Sequence, residues 1–220
     1  MIPLRALLLR NSTPLMTLVI IAANVLVFLF EMAQPVYLRN QLIEHYALVP
    51  DHLYLPSFIT SMFLHGGWLH LIGNMWFLWV FGSHIEDAMG SGRFLVFYLI
   101  SGIASAAVQV ATNPGSPVPT IGASGAIAGV MGAFLILYPR VRVVTLIFIV
   151  FFITTYDLPA AFMLIYWFAL QLLSGVGSLS SVTTAQNIAW FAHVGGFLAG
   201  ILLVRLFIGE RRRRYRYFPS

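Results

Sequence analysis

The sequence predicts an all-α polytopic membrane protein with six transmembrane helices, both termini cytoplasmic, and a long interfacial loop between helices 1 and 2. Three observations carry this. Of the 220 residues, 60% are hydrophobic and only 9% charged, with a mean hydropathy of +0.89; a soluble domain carries about 25% charged residues. Six apolar stretches approach the roughly 20 residues needed to cross a hydrocarbon core. All twelve basic residues are arginine, and with six spans eleven of them fall on one side: Arg5, Arg10, Arg93, Arg140, Arg142, Arg205 and the five of the tail. Only Arg39 lies opposite, the bias expected of cytoplasmic loops.

Span 1 covers 14–34. Arg5 and Arg10 followed by an apolar run have the look of a signal peptide. The run from Pro14 to Met32 is too long for a typical h-region and no A-x-A-like cleavage site follows it, so an uncleaved span is expected. The loop 35–66, with Arg39, Glu44, Asp51 and several large apolar residues, is amphipathic enough to lie in the interface. Span 2 covers 67–85, span 3 covers 93–111, a Pro/Gly loop occupies 112–121, and span 4 runs over 122–139. Val143–Ile153 is apolar but too short to cross, which predicts an interfacial or re-entrant segment. Span 5 covers 158–176, the polar loop Ser178–Asn187 follows, and span 6 covers 188–208. The domain reading is a cytoplasmic N-terminus at 1–13, a six-span domain at 14–208 and a cytoplasmic Arg-rich tail at 209–220.

Several classes fall away on composition. Cysteine is absent, which removes disulfides, thiolate metal sites and cysteine nucleophiles. An arginine run beside a span reads as a topology signal touching anionic lipid, and no aromatic platform or second basic surface points to nucleic acid.

Polar residues inside spans are costly and mark candidate sites. His70 and Asn74 are spaced i,i+4 on one face of span 2. Ser124 heads span 4 within Gly122-Ala123-Ser124-Gly125, and His193 lies near the start of span 6. Spans 2, 4 and 6 all run from outside to inside in this topology, so the four residues share the outer third of the bilayer. Gly/Ser/Ala stripes in membranes are ordinarily packing surfaces, and two such stripes are present. Gly125, Gly129 and Gly132 line span 4, while Gly196 and Gly200 share a face with His193. Their close approach is what a Ser–His hydrogen bond between the two helices requires.

No carboxylate lies in the outer half of spans 2, 4 or 6, so the expected machinery is a Ser124–His193 dyad rather than a triad. Helix N-terminal N–H groups, the Asn74 amide and the His70 imidazole are candidate donors to a developing oxyanion. A zinc protease is disfavoured because H-E-x-x-H is missing and His65/His70 are wrongly spaced. An aspartyl intramembrane protease lacks a second intramembrane aspartate to pair with Asp157. A transporter would show charges at the midplane or paired broken helices.

The segment Phe63-Leu64-His65-Gly66-Gly67-Trp68-Leu69-His70-Leu71-Ile72-Gly73-Asn74-Met75 is followed in order by Gly82, Glu86, Gly90-Ser91-Gly92-Arg93-Phe94, Tyr98 and Gly102. Gly122-Ala123-Ser124-Gly125 and Ala192-His193-Val194-Gly195-Gly196 with Gly200 complete the series. This pattern, from about 60 to 205, resembles the rhomboid family of intramembrane serine proteases. The resemblance implies a six-helix rhomboid bundle with Ser124 as nucleophile, His193 as base, and His70, Asn74 and the Ser124 N–H lining the oxyanion hole. It implies transmembrane segments of other membrane proteins as substrates, membrane lipid as surroundings, and no metal or cofactor. Span 5, with Phe162, Trp167 and Phe168, and the loop 177–187 become the expected lateral gate and cap. A bacterial inner membrane is the expected location, with an archaeal one as the other option, and a catalytically silent relative binding transmembrane clients is the alternative function. Oligomeric state is not implied.

Two departures from the family pattern stand out. Leu55-Pro56-Ser57-Phe58 replaces a Trp-Arg pair of the first loop, and Ala128 stands where an aromatic commonly packs on the base. They touch the conformation of the loop and the packing of His193, not a reacting group.

Overall fold

Helix α1 (Leu15–Ala33) begins directly after Pro14 and has no side-chain cap of its own. Its orphan N–H groups are met from elsewhere in the chain: Met16 N and Thr17 N donate to the Glu86 carboxylate at 2.8 and 2.7 Å, and Thr17 Oγ1 adds a third bond at 2.7 Å. Glu86 also accepts from Ser91 Oγ. A buried carboxylate at a helix N-terminus satisfies donors and complements the helix dipole together. The computed structural model describes residues 1–149, 152–179 and 189–208. The Arg-rich tail from 209 and residues 180–187 of the expected cap loop 177–187 lie outside the described residues, and residues 177–179 of that loop are instead the end of a helix.

The first loop folds into α2 (Val36–Tyr46), a single turn α3 (Ser57–Thr60) and a 3₁₀ turn, Ser61–Phe63. The next helical run starts as α4 (Trp68–Phe77), widens into a π turn over Leu78–Gly82 and continues as α5 (Ser83–Met89). Gly90, at φ +83°, turns the chain into α6 (Ser91–Thr112). Then come α7 (Ser124–Leu137), α8 (Ala160–Leu179) and α9 (Trp190–Phe207). Four of these, α1, α6, α8 and α9, are long and apolar enough to cross a membrane. Leucines such as Leu26, Leu69, Leu202 and Leu206 project outward, exposed, as suits a hydrocarbon solvent.

Helix α7 is the centre of the bundle. Every residue from Gly125 to Phe134 is buried, with α6 and α9 packed along it. Lipid is as apolar as a leucine side chain, so close van der Waals packing through small residues must hold such helices together. Phe81, Phe94, Phe97, Tyr98, Phe134 and Phe197 fill the spaces that remain.

The expectation of an all-α chain is corrected at one point: the protein is mostly helical, with a three-stranded antiparallel sheet. The described residues of the segment 143–153, expected to be a short interfacial or re-entrant piece, belong to two antiparallel strands, β2 (Arg142–Ile149) and β3 (Phe152–Pro159). Its register runs from Arg142↔Pro159 to Ile149↔Phe152. The N-terminal segment contributes β1 (Ile2–Ala6), paired with β2 from Ile2↔Leu146 to Ala6↔Val143. Val143, Val144, Thr145, Ile147 and Ile149 include the β-branched residues that favour strands. Residues 1–13 are thus tied into the folded body; Ser12 Oγ also donates to Asp87 at 2.6 Å.

Candidate active site

Two loops set the position of Ser124. Leu48 and Thr120 exchange backbone hydrogen bonds at 3.0 and 2.8 Å, and Gly122 N donates to Ser61 O at 2.8 Å. The Pro-rich loop is thereby pinned to the first loop before it turns into α7. That turn needs Gly122, which sits at φ +115°, a region L-residues rarely adopt. Space demands it as well, since a Cβ there would stand 2.6 Å from His70 Nε2 and 3.6 Å from Asn74 Nδ2.

Ser124 is the first residue of α7. The N–H groups of this first turn have no intrahelical partner and face whatever occupies the space before the helix. Helix α9 reaches Ser124 through the glycine stripes. A Cβ at Gly196 would run into the Gly125 carbonyl, and one at Gly200 into the Gly129 carbonyl. The approach lets His193 Nε2 meet Ser124 Oγ at 2.7 Å. Ser105 Oγ donates to Ala192 O at 2.7 Å and ties α9 to α6 beside it.

His70 and Asn74, one turn apart on α4, line the same cavity as Ser124 and His193. His70 Nδ1 accepts from Gly66 N at 3.4 Å, which leaves the ring proton on Nε2, the atom facing Gly122. Asn74 Nδ2 donates to His70 O at 3.1 Å in its own helix. The structure therefore brings Ser124, His193, His70 and Asn74 together, with Gly125, Gly129, Gly196 and Gly200 as the spacing behind them.

Two residues of α8 complete the surroundings of His193, and sequence reasoning missed the part of each. His193 Nδ1 lies 2.7 Å from Gln171 Oε1. Trp167, one turn earlier, sets its ring 5.9 Å from the imidazole at a 41° tilt. An aromatic thus packs on His193 from α8, while Ala128 lies in α7. A signal was available: Gln171 is a polar side chain in an apolar helix, spaced i,i+4 from Trp167 and so on the same face.

Two cavities meet at the Ser124–His193 pair. One, of about 500 Å³, lies between α6, α7 and the two loops and is lined by His70, Ser124, His193, Ser61, Gly102 and Ala192. The other, of about 330 Å³, opens between α4 and α8 past Leu69, Asn74, Trp167 and Gln171. A serine hydroxyl bonded to a neutral imidazole, reached from two sides, is suited to nucleophilic attack on a carbonyl. Among the described residues no group of three or more His, Asp or Glu side chains is placed to hold a metal. His65 is buried just before α4, with its ring 5.1 Å from that of His70. Its Nδ1 bonds to Phe63 O at 3.2 Å, Nε2 has no hydrogen-bond partner among the described residues, and burial with His70 nearby pushes its pKa down to about 4.

A family model described as the rhomboid domain matches residues 52–210. The rhomboid protease GluP of Bacillus subtilis is 46% identical over 77 residues, 35% of this chain and 15% of its own length. RHOMBOID-like protein 5 of Arabidopsis thaliana is 32% identical over 145 residues, 66% of this chain and 41% of its own. The human mitochondrial presenilin-associated rhomboid-like protein is 31% identical over 190 residues, 84% of this chain and 46% of its own. The chain thus spans less than half the length of each of these relatives.

Proposed function

The chain belongs to the rhomboid family, and from that premise we propose that this multi-pass membrane protein is a serine endopeptidase that hydrolyses peptide bonds in or next to transmembrane segments of other membrane proteins. The observation that carries the reading is the 2.7 Å contact between Ser124 Oγ and His193 Nε2 at the head of a buried helix. The membrane setting is the six-span arrangement with both termini cytoplasmic, in a bacterial inner membrane. Helix α7 supports the depth of the site: its 14 residues rise about 21 Å, short of a hydrocarbon core of about 30 Å. A helix ending at the inner face therefore begins below the outer one.

In the proposed reaction, Ser124 Oγ attacks the scissile carbonyl carbon while His193 Nε2 takes the hydroxyl proton. The carbonyl oxygen becomes an oxyanion held by the Ser124 N–H, His70 Nε2–H and the Asn74 amide. Fixed donors of this kind stabilise developing charge without reorganising, and removing one costs about 10²–10³ in rate. Collapse breaks the C–N bond, and His193 returns its proton to the leaving amine. Water then attacks the acyl-serine with His193 again as base, releasing a carboxylate and restoring Ser124. The opening between α4 and α8 is the side from which a transmembrane substrate reaches the serine, and the 500 Å³ cavity the side from which water does.

The test is cleavage of a labelled single-span substrate in proteoliposomes by wild type, Ser124→Ala and His193→Ala. The expected result is product from wild type alone. Cleavage persisting in Ser124→Ala overturns the assignment. Labelling of Ser124 by a serine-directed phosphonate keeps the chemistry if the chosen substrate is inert, and absence of both favours a silent, client-binding protein.

A further inference from the structure

We infer that Gln171 is the positioning residue of the base: its side-chain oxygen holds the His193 ring in the tautomer and rotation in which Nε2 can accept the Ser124 proton. The inference rests on the protease reading for its purpose, though not for its geometry.

An amide oxygen accepts hydrogen bonds and cannot donate. Opposite Gln171 Oε1, at 2.7 Å, Nδ1 of a neutral His193 must carry the proton. Nε2 is then the lone-pair nitrogen, and it faces Ser124 Oγ at 2.7 Å. The reverse tautomer would set N–H against the serine oxygen and leave two acceptors facing each other at Nδ1. One hydrogen bond thus selects the reactive form, the task a buried acid performs in a serine triad.

Gln171 is itself well fixed. It is 9% exposed, and on the same helix Phe168 stacks on Phe197 at 4.7 Å and 24°. Trp167 covers the imidazole from the preceding turn. Helix α8 therefore holds His193 by ring contact and by hydrogen bond from adjacent turns. An amide suits this depth because it orients the ring without placing a charge in a membrane helix. The arrangement is a Ser124–His193–Gln171 relay with a neutral third member.

The test compares wild type with Gln171→Leu and Gln171→Glu by two readouts. The first is the rate of phosphonate labelling at Ser124 as a function of pH, with substrate cleavage resolved into kcat and KM. Gln171→Leu is expected to lose about ten- to a hundredfold in labelling rate and kcat with KM little changed, part of the roughly 10²–10⁴-fold a positioned base supplies. Gln171→Glu restores the acceptor and recovers most of the rate, with the acid limb of its profile moved to higher pH because a carboxylate favours the protonated ring. The second readout is the ¹⁵N spectrum of histidine side chains, His193 being identified by its loss in His193→Ala. Wild type is expected to show the Nδ1–H tautomer, and Gln171→Leu a mixture. An Nε2–H tautomer in wild type, or Gln171→Leu indistinguishable from wild type in spectrum and labelling, overturns the inference. A tautomer that follows Gln171 in a protein that neither labels nor cleaves upholds the positioning role and sinks the protease reading instead.

Discussion

Gly122 and His70 are packed so that a single added carbon on the glycine would stand 2.6 Å from the ring nitrogen Nε2. The backbone that leads into Ser124 and a proposed oxyanion donor therefore share one small space. Gly122→Ala is expected to push His70 out of place and to strain a backbone at φ +115°. Cleavage and Ser124 labelling should fall by about 10²-fold or more, the scale of a lost oxyanion donor, and His70→Ala should match it. A Gly122→Ala protein cleaving at the wild-type rate would refute this shared role.

The crossing of α7 and α9 sets a second expectation. Gly200 faces the Gly129 carbonyl with no room for a methyl group. Overpacking of a tight interface costs about 1–3 kcal/mol. Gly200→Ala should lower the thermal midpoint in detergent, and Gly200→Val more so. Because the same crossing sets the Ser124–His193 distance, labelling of the folded fraction should slow as well.

Glu86 provides a third test, far from the dyad. Three of its bonds go to the first turn of α1. Glu86→Ala leaves those donors and Ser91 Oγ without their acceptor, at about 3 kcal/mol for a buried charged hydrogen-bonding group. Glu86→Gln retains one oxygen acceptor and should lose less. Equal stability of Glu86→Ala and wild type by thermal or denaturant unfolding would show that α1 is anchored by other contacts.

His65 gives the pH dependence. In the fold its pKa is about 4, against an ordinary 6.5, so between these values the unfolded chain binds a proton that the folded chain does not. Stability is then complete above about pH 6.5 and falls as pH drops towards 4, by up to about 1.4 kcal/mol per pH unit. Below pH 4 this contribution levels off. Unfolding of wild type and His65→Phe compared from pH 7.5 to 4.5 should show wild type losing stability relative to the variant as the pH falls.

The contact between Ser124 and His193 was legible in the sequence because chemistry and period agreed there. Ser124 stands between small residues at a helix head, and His193 shares a face with Gly196 and Gly200. Gln171 escaped because the third member of the relay was sought among carboxylates, while its signature is an amide one turn from Trp167 in an apolar helix. The sheet escaped for a different reason. A short apolar run such as Val143–Ile153 reads equally as buried strand or helix fragment, and its partner β1 is five residues containing Pro3. No local pattern announces a pairing between segments so far apart. The helix bounds, by contrast, followed from length and hydropathy, as with α1 and α9.

The pairing of β1 with β2 also constrains the order of events as the chain is made. Ala6 leaves the ribosome 136 residues before Arg142, yet among the described residues the strand partner of β1 is β2. At about 5–20 residues per second, the first strand waits on the order of ten seconds with its edge unpaired. During that interval α1, α4, α6 and α7 are synthesised, so the sheet closes late, over a bundle already begun. The ladder of β1 can therefore close only after the chain has passed α7, on a strand that Trp76 of α4 already reaches through its bond to Pro3 O.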